Sequence, residues 1–166
     1  SEDPGTELKD YVEYAHLYDL AWSEPFNRWL LSTVPSVMIF DDHDVRDDWN
    51  TSRDWHREMN ELPWWHERIV GALASYWVYQ HCGNLNPDDL AQDQIWQLIA
   101  GHDPATGECD VTEALFDLVE RVDKDPTEYR WSYTVDLSPS RLVMIDSRAA
   151  RDLDPDNRRS VNLRAL

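Results

Sequence analysis

Apolar residues recur at helical spacing along much of the chain, and in three short stretches they either alternate with polar residues or run together. Leu8, Tyr11, Val12, Ala15, Tyr18 and Trp22 follow Thr6, a suitable N-cap, and predict an amphipathic helix over 7–22. Ser23 and Pro25 start a shorter helix through Phe26, Trp29 and Leu30, which must end before Pro35. Val37 to Phe40 is wholly apolar and reads as a strand buried on both faces. The polar stretch 45–62 predicts a functional loop, partly helical near its end. Pro63 opens a long helix with Trp65, Ile69, Leu73, Tyr76 and Trp77 on one stripe, ending near Gly83.

Further along, Ile95 to Ile99 suits a short helix. Asp110 and Glu113 form a capping-box pattern ahead of Leu115, Leu118, Val119 and Val122. Trp131, Tyr133, Val135 and Leu137 alternate with Ser132, Thr134 and Asp136, which predicts a half-buried strand. Leu142 to Ile145 is a second apolar run, and Asp146, Ser147 and Arg148 follow it. The expected class is therefore α/β, a few strands flanked by several helices. So few strands make a poorly covered sheet, which suggests that the chain is part of a larger unit.

Composition narrows the functions available. The 166 residues suit one domain, and 33 acidic against 15 basic residues give a formal charge of -18. That field repels nucleic acids and anionic membranes and concentrates cations, so nucleic acid is not expected as the main partner. A phosphate-bearing substrate needs bound metal ions or arginines to reverse the local sign. No apolar run is long enough to span a bilayer, and Ser-Glu-Asp-Pro-Gly is not a signal peptide, which tilts the expected compartment toward the cytoplasm over secretion. Cys82 and Cys109 are too few for a disulfide framework and read as inert thiols.

Chemistry is expected where the apolar tetrapeptide meets Asp41, Asp42, His43 and Asp44. In open α/β sheets ligands bind outside the carboxyl ends of strands, and hard carboxylate oxygens beside an imidazole suit a metal-assisted reaction. A Walker B strand would look similar, but the chain has no G-x-x-x-x-G-K-[ST] loop. A haloacid dehalogenase site needs a small residue where Arg46 stands. Metal-free acid/base work by adjacent carboxylates is disfavoured because neighbours on a strand point to opposite faces. An acidic loop that merely caps helices accounts for Asp47 and Asp48 better than for His43.

Val-Pro-Ser-Val-Met-Ile-Phe-Asp-Asp-His-Asp-Val-Arg-Asp-Asp-Trp-Asn resembles the segment of PhoD-like (alkaline phosphatase D) metallophosphatases in which an apolar strand runs into Asp-Asp-His-[Asp/Glu]. The similarity extends upstream through Ala-Trp-Ser-Glu-Pro-Phe-Asn-Arg-Trp-Leu-Leu and downstream through Trp-Ser-Tyr-Thr-Val-Asp-Leu to Asp146-Ser147-Arg148. The resemblance implies a partial metallophosphoesterase-like sandwich, with 1–166 as the middle of one catalytic domain. It implies hydrolysis of small phosphate mono- or diesters by a metal-activated water, with iron and calcium as the ions. Asp42, with Asp41, would bind metal. His43 would contact phosphate or protonate the leaving oxygen, and Asp44 would orient His43. Arg148 and Arg46 would clamp phosphate oxygens or form salt bridges, and Asp146 would support the site from behind.

The chain lacks the Gly-Asp motif that such enzymes use, and its Gly101-His102 pair falls in a loop between helices. Flanking segments of the same polypeptide are therefore expected to complete the metal shell. The rival expectation is a noncatalytic acidic fragment or binding module. Among the tryptophans, Trp65 and Trp77 have core spacing, while Trp49 is the candidate for a lid.

Overall fold

Residues 6–156 are described by the structure, a computed structural model. It is mostly helical, with one two-stranded antiparallel hairpin. Helix α1 spans Tyr11–Ser23 and α2 Pro25–Thr33; α3 is Arg53–Asn60 and α4 Trp65–Tyr76. A π-helical turn, Trp77–His81, continues α4 into the short α5, Cys82–Asn84. Then come α6 (Pro87–Gln92), α7 (Gln94–Ala100), a 3-10 turn at Pro104–Thr106, α8 (Thr112–Lys124), β1 (Tyr133–Leu137) and β2 (Ser140–Met144).

The caps explain where the helices begin. The Asp10 carboxylate accepts the Glu13 N–H, so α1 starts at this N-cap and not at Thr6. Glu24 accepts from Phe26 and Asn27, Ser52 from Trp55, and Asp93 from Ile95 and Trp96. At α8 Asp110 accepts the Thr112 N–H.

Helix α4 is the centre of the molecule, buried from Arg68 to Tyr76. It packs against α1 on one side and against Leu115, Leu118, Val119 and Val122 of α8 on another. The approach of α1 is close. A Cβ on Gly71 would lie 2.5 Å from the Tyr11 nitrogen, so only glycine lets the first turn of α1 rest on α4.

The expected sandwich is not found: the described residues contain one sheet, the β1–β2 hairpin, with Tyr133 opposite Met144 and Leu137 opposite Ser140. Val37 to Phe40 forms no ladder. Its polar backbone is served by side chains: Asn84 contacts both the nitrogen and the oxygen of Met38, and the Tyr76 and Tyr133 hydroxyls donate to the Met38 oxygen. The run at Leu142 to Ile145 was expected to be buried, yet Leu142, Val143 and Ile145 are exposed. An apolar run specifies a central strand only when neighbouring strands cover it, and here those neighbours are missing among the described residues.

Phe40 does behave as core. It is 3% exposed and meets Tyr76, Trp49 and Trp131 edge-on at 4.7, 5.4 and 5.7 Å. This aromatic cluster anchors the chain one residue before the acidic turn. Trp49, expected as a lid, is 1% exposed and anchors the far end of the same turn.

Candidate functional site at the acidic turn

Between these two anchors, residues 41–51 fold as consecutive tight turns. The Asp42 carbonyl accepts from Val45 at 3.0 Å and Arg46 at 2.7 Å, the Arg46 carbonyl from Trp49, and the Asp48 carbonyl from Thr51. Asp48 and Asn50 adopt left-handed backbone, with φ of 64° and 54°. Asp and Asn tolerate this region better than other residues with a Cβ, which is why the pattern Asp-Trp-Asn suits the turn. Buried Val45 pins the middle, its carbonyl accepting from Arg68 Nε at 2.7 Å and the Tyr14 hydroxyl at 3.2 Å.

The turn presents its acids unequally. Asp42 is buried, whereas Asp41, His43, Asp44, Asp47 and Asp48 are exposed. The His43 ring places Nδ1 at 3.5 Å from an Asp42 oxygen and 3.7 Å from Asp41, and Nε2 at 3.5 Å from Asp47. Asp42 Oδ1 also receives the Arg148 guanidinium at 2.8 Å, and its Oδ2 accepts the Asp48 N–H at 3.1 Å. Burial would raise the Asp42 carboxyl, but the Asp48 N–H, the backbone N–H of Asp42 itself, Arg148 and His43 together hold it below its ordinary value. Asp42 is thus the charged hub of the turn, and Arg148 and His43 converge on it.

Arg148 is delivered by a second turn. The buried carboxylate of Asp146 accepts the N–H groups of Arg148, Ala149 and Ala150 at 2.8, 2.9 and 2.9 Å, and the Asp146 N–H donates to Ser132. Burial outweighs those donors and pushes the Asp146 carboxyl up to about 6. Arg148 also donates to the Trp49 carbonyl at 3.3 Å, and the Asn50 amide donates to the Arg148 carbonyl at 3.4 Å, which ties the two turns together.

Other expected site residues lie elsewhere. Asp44 was expected to orient His43; its carboxylate instead accepts the Asp41 N–H at 2.9 Å, and the carboxylates beside the ring are Asp41, Asp42 and Asp47. Although the residue is exposed, partial desolvation and the charges of Asp41 and Asp42 raise the Asp44 carboxyl despite that N–H. Arg46 turns away from Asp42, pairing with Glu7 at 3.2 Å and covering the Trp64 ring at 5.2 Å. Asp47 and Asp48, read from sequence as capping residues, come back beside Asp42 because the left-handed step at Asp48 reverses the chain. Two acids just ahead of an Asn that can take positive φ were the available signal.

Two overlapping donor groups result. One atom from each of Asp41, Asp42 and His43 lies within 4.8 Å of the others, and the same holds for Asp42, Asp47 and Asp48. Both donor sets are of the oxygen-rich kind that hard cations take, one of them with an imidazole added. Both trios fit a hard cation in kind; the three carboxylates supply about half of the six to eight oxygens that calcium takes, whereas Asp41, Asp42 and His43 supply two oxygens and a nitrogen. No helix of the described residues is long and apolar enough to cross a membrane. No known protein family, curated protein or solved structure matches the chain.

Proposed function

We propose that the acidic turn is part of the active site of a metal-dependent phosphoric ester hydrolase, as the resemblance to PhoD-like enzymes implies. The observation that carries this reading is the convergence of Asp41, Asp42, exposed His43 and Arg148 on one spot, brought from two turns more than 100 residues apart in sequence.

A cation held there would supply Lewis acidity and an activated water. Asp42 is the shared ligand, assisted by Asp41 or by Asp47 and Asp48. The His43 ring is 73% exposed, so it can meet a phosphoryl group from solvent and give a proton to the leaving oxygen. Arg148 is 23% exposed; it holds Asp42 in place and leaves guanidinium edge for a phosphate oxygen. Water, substrate and donors from flanking segments complete the coordination. Iron together with calcium is the pair the resemblance implies.

The test is hydrolysis of 4-nitrophenyl phosphate with iron and calcium added. Turnover by the chain alone should be slow, because three protein donors hold a cation loosely. His43→Ala should lower it about 100-fold or more, the typical worth of a positioned proton donor, with the melting temperature unchanged because the ring is exposed. Equal turnover by the two proteins refutes the reading in favour of a noncatalytic acidic module.

A further inference from the structure

A cleft of about 420 Å³ opens beside the acidic turn, and His43 and Asp44 line it together with residues of α1 and α4. Its size is within the range of small-molecule sites, about 300–1,000 Å³. Tyr14, Tyr18 and Trp22 come from α1, Leu73 and Tyr76 from α4, and Phe40 from the segment before the turn. The α1 wall is fixed in advance: Tyr18 stacks on Tyr79 at 4.5 Å and meets Trp22 edge-on at 5.1 Å.

The polar groups around the cleft are largely spoken for. Arg68 donates to the Val45 and Leu8 carbonyls and pairs with Glu7. The Tyr14 and Tyr76 hydroxyls donate to the Val45 and Met38 carbonyls, and the Ser75 hydroxyl to Ala72. The Tyr18 oxygen accepts from Gln80 at 2.9 Å and keeps its own proton to donate. Burial holds the Tyr14 and Tyr18 hydroxyls up to about 12, so both are neutral at physiological pH. What remains for a ligand is ring and aliphatic surface, the Tyr18 hydroxyl, the exposed His43 ring and the Asp44 carboxylate, because Arg46 and Arg68 neutralise Glu7. The Asp44 carboxylate, which no arginine or lysine among the described residues pairs, disfavours an anionic guest and favours a neutral aromatic one.

We propose that this cleft binds the ring of a neutral aromatic alcohol, so that the substrates of the acidic turn are phosphate esters of such alcohols. The assignment rests on the hydrolase reading above. A second phosphate or a carboxylate on the alcohol would meet Asp44 and be disfavoured.

The experiment is titration of the chain, without added metal, with 4-methylphenol and with glycerol, followed by amide chemical shifts. The phenol should bind at least tenfold more tightly than glycerol and shift residues of α1, α4 and the turn. Ala21→Trp and Leu17→Trp both add a ring at the lining, and Leu17 is already 48% exposed, so at least one should fold normally. In the folded variant phenol binding should weaken at least tenfold. Binding that ignores both substitutions, or a phenol that binds no better than glycerol, overturns the assignment. Because no metal is present, that failure is separate from a failure of Asp42 to bind cations, which would bear on the acidic turn alone.

Discussion

His81 is fully buried at 0% exposure, and neither ring nitrogen finds a hydrogen-bond partner among the described residues. Trp131, Tyr129, Tyr76 and Tyr133 surround the ring at centroid distances of 5.0, 5.5, 5.9 and 6.2 Å. Burial lowers its pKa from 6.5 to about 4; Asp93 opposes the shift and Arg130 assists it. The unfolded chain therefore binds more protons than the folded one between those values. Stability contributed by the neutral ring is complete above pH 6.5 and is lost as pH falls toward 4. The full shift corresponds to about 3 kcal/mol, of which about 2.5 kcal/mol is lost at pH 4.5. His81→Phe keeps the edge contacts and removes the titration. Urea denaturation of both proteins at pH 7.5 and pH 4.5 should show the variant gaining about 2.5 kcal/mol on the wild type at the lower pH, or about 5–10 °C in melting temperature. Parallel pH profiles would refute the reasoning and would mean that the imidazole has a partner.

Asp146 works in the opposite direction. Its carboxyl, raised from 3.8 to about 6, makes the folded state bind more protons, so it favours folding below pH 4 and loses about 3 kcal/mol of that stability as pH rises through 6. Asp146→Asn should remove this trend from pH-dependent denaturation curves and leave a steeper loss of stability in acid; an unchanged slope would show that the three N–H donors hold the carboxylate charged. Arg148→Met strips the buried Asp42 of its guanidinium and should cost about 3 kcal/mol in urea denaturation, since it leaves a buried charge without its counter-ion. A cost below about 1 kcal/mol would mean that water replaces the pair.

Most helices were legible in the sequence because their signals are local. The stripes of α4 and α8, the proline start of α2 and the acid ahead of α8 all act within a few residues, whereas α6 and the caps Asp10, Ser52 and Asp93 were not read. The β1–β2 hairpin was legible too, from the alternation at 131–137 and the apolar run that follows it; what could not be read was the pairing of the first apolar run. Val37 to Phe40 has strand composition, but pairing depends on residues far away, and here Asn84, Tyr76 and Tyr133 take the place of a ladder. Arg148 was expected to share a pocket with Asp41 to Asp44, and it pairs with Asp42 at 2.8 Å. Asp44 was misread because its direction depends on a tight turn, and Arg46 takes the salt-bridge option, pairing with Glu7. Trp49 was misread for the same reason: a polar neighbourhood in sequence surrounds a side chain that the left-handed backbone at Asp48 and Asn50 helps turn into the core.

The central claim is that Asp42 is the hub of a cation site, and a calcium titration of the wild type and Asp42→Asn, followed residue by residue through amide chemical shifts, tests it most directly. The account predicts saturable shifts centred on residues 41–48 and affinity at least tenfold weaker in the variant. Shifts spread evenly over the acidic surface, or equal affinity in both proteins, would contradict it.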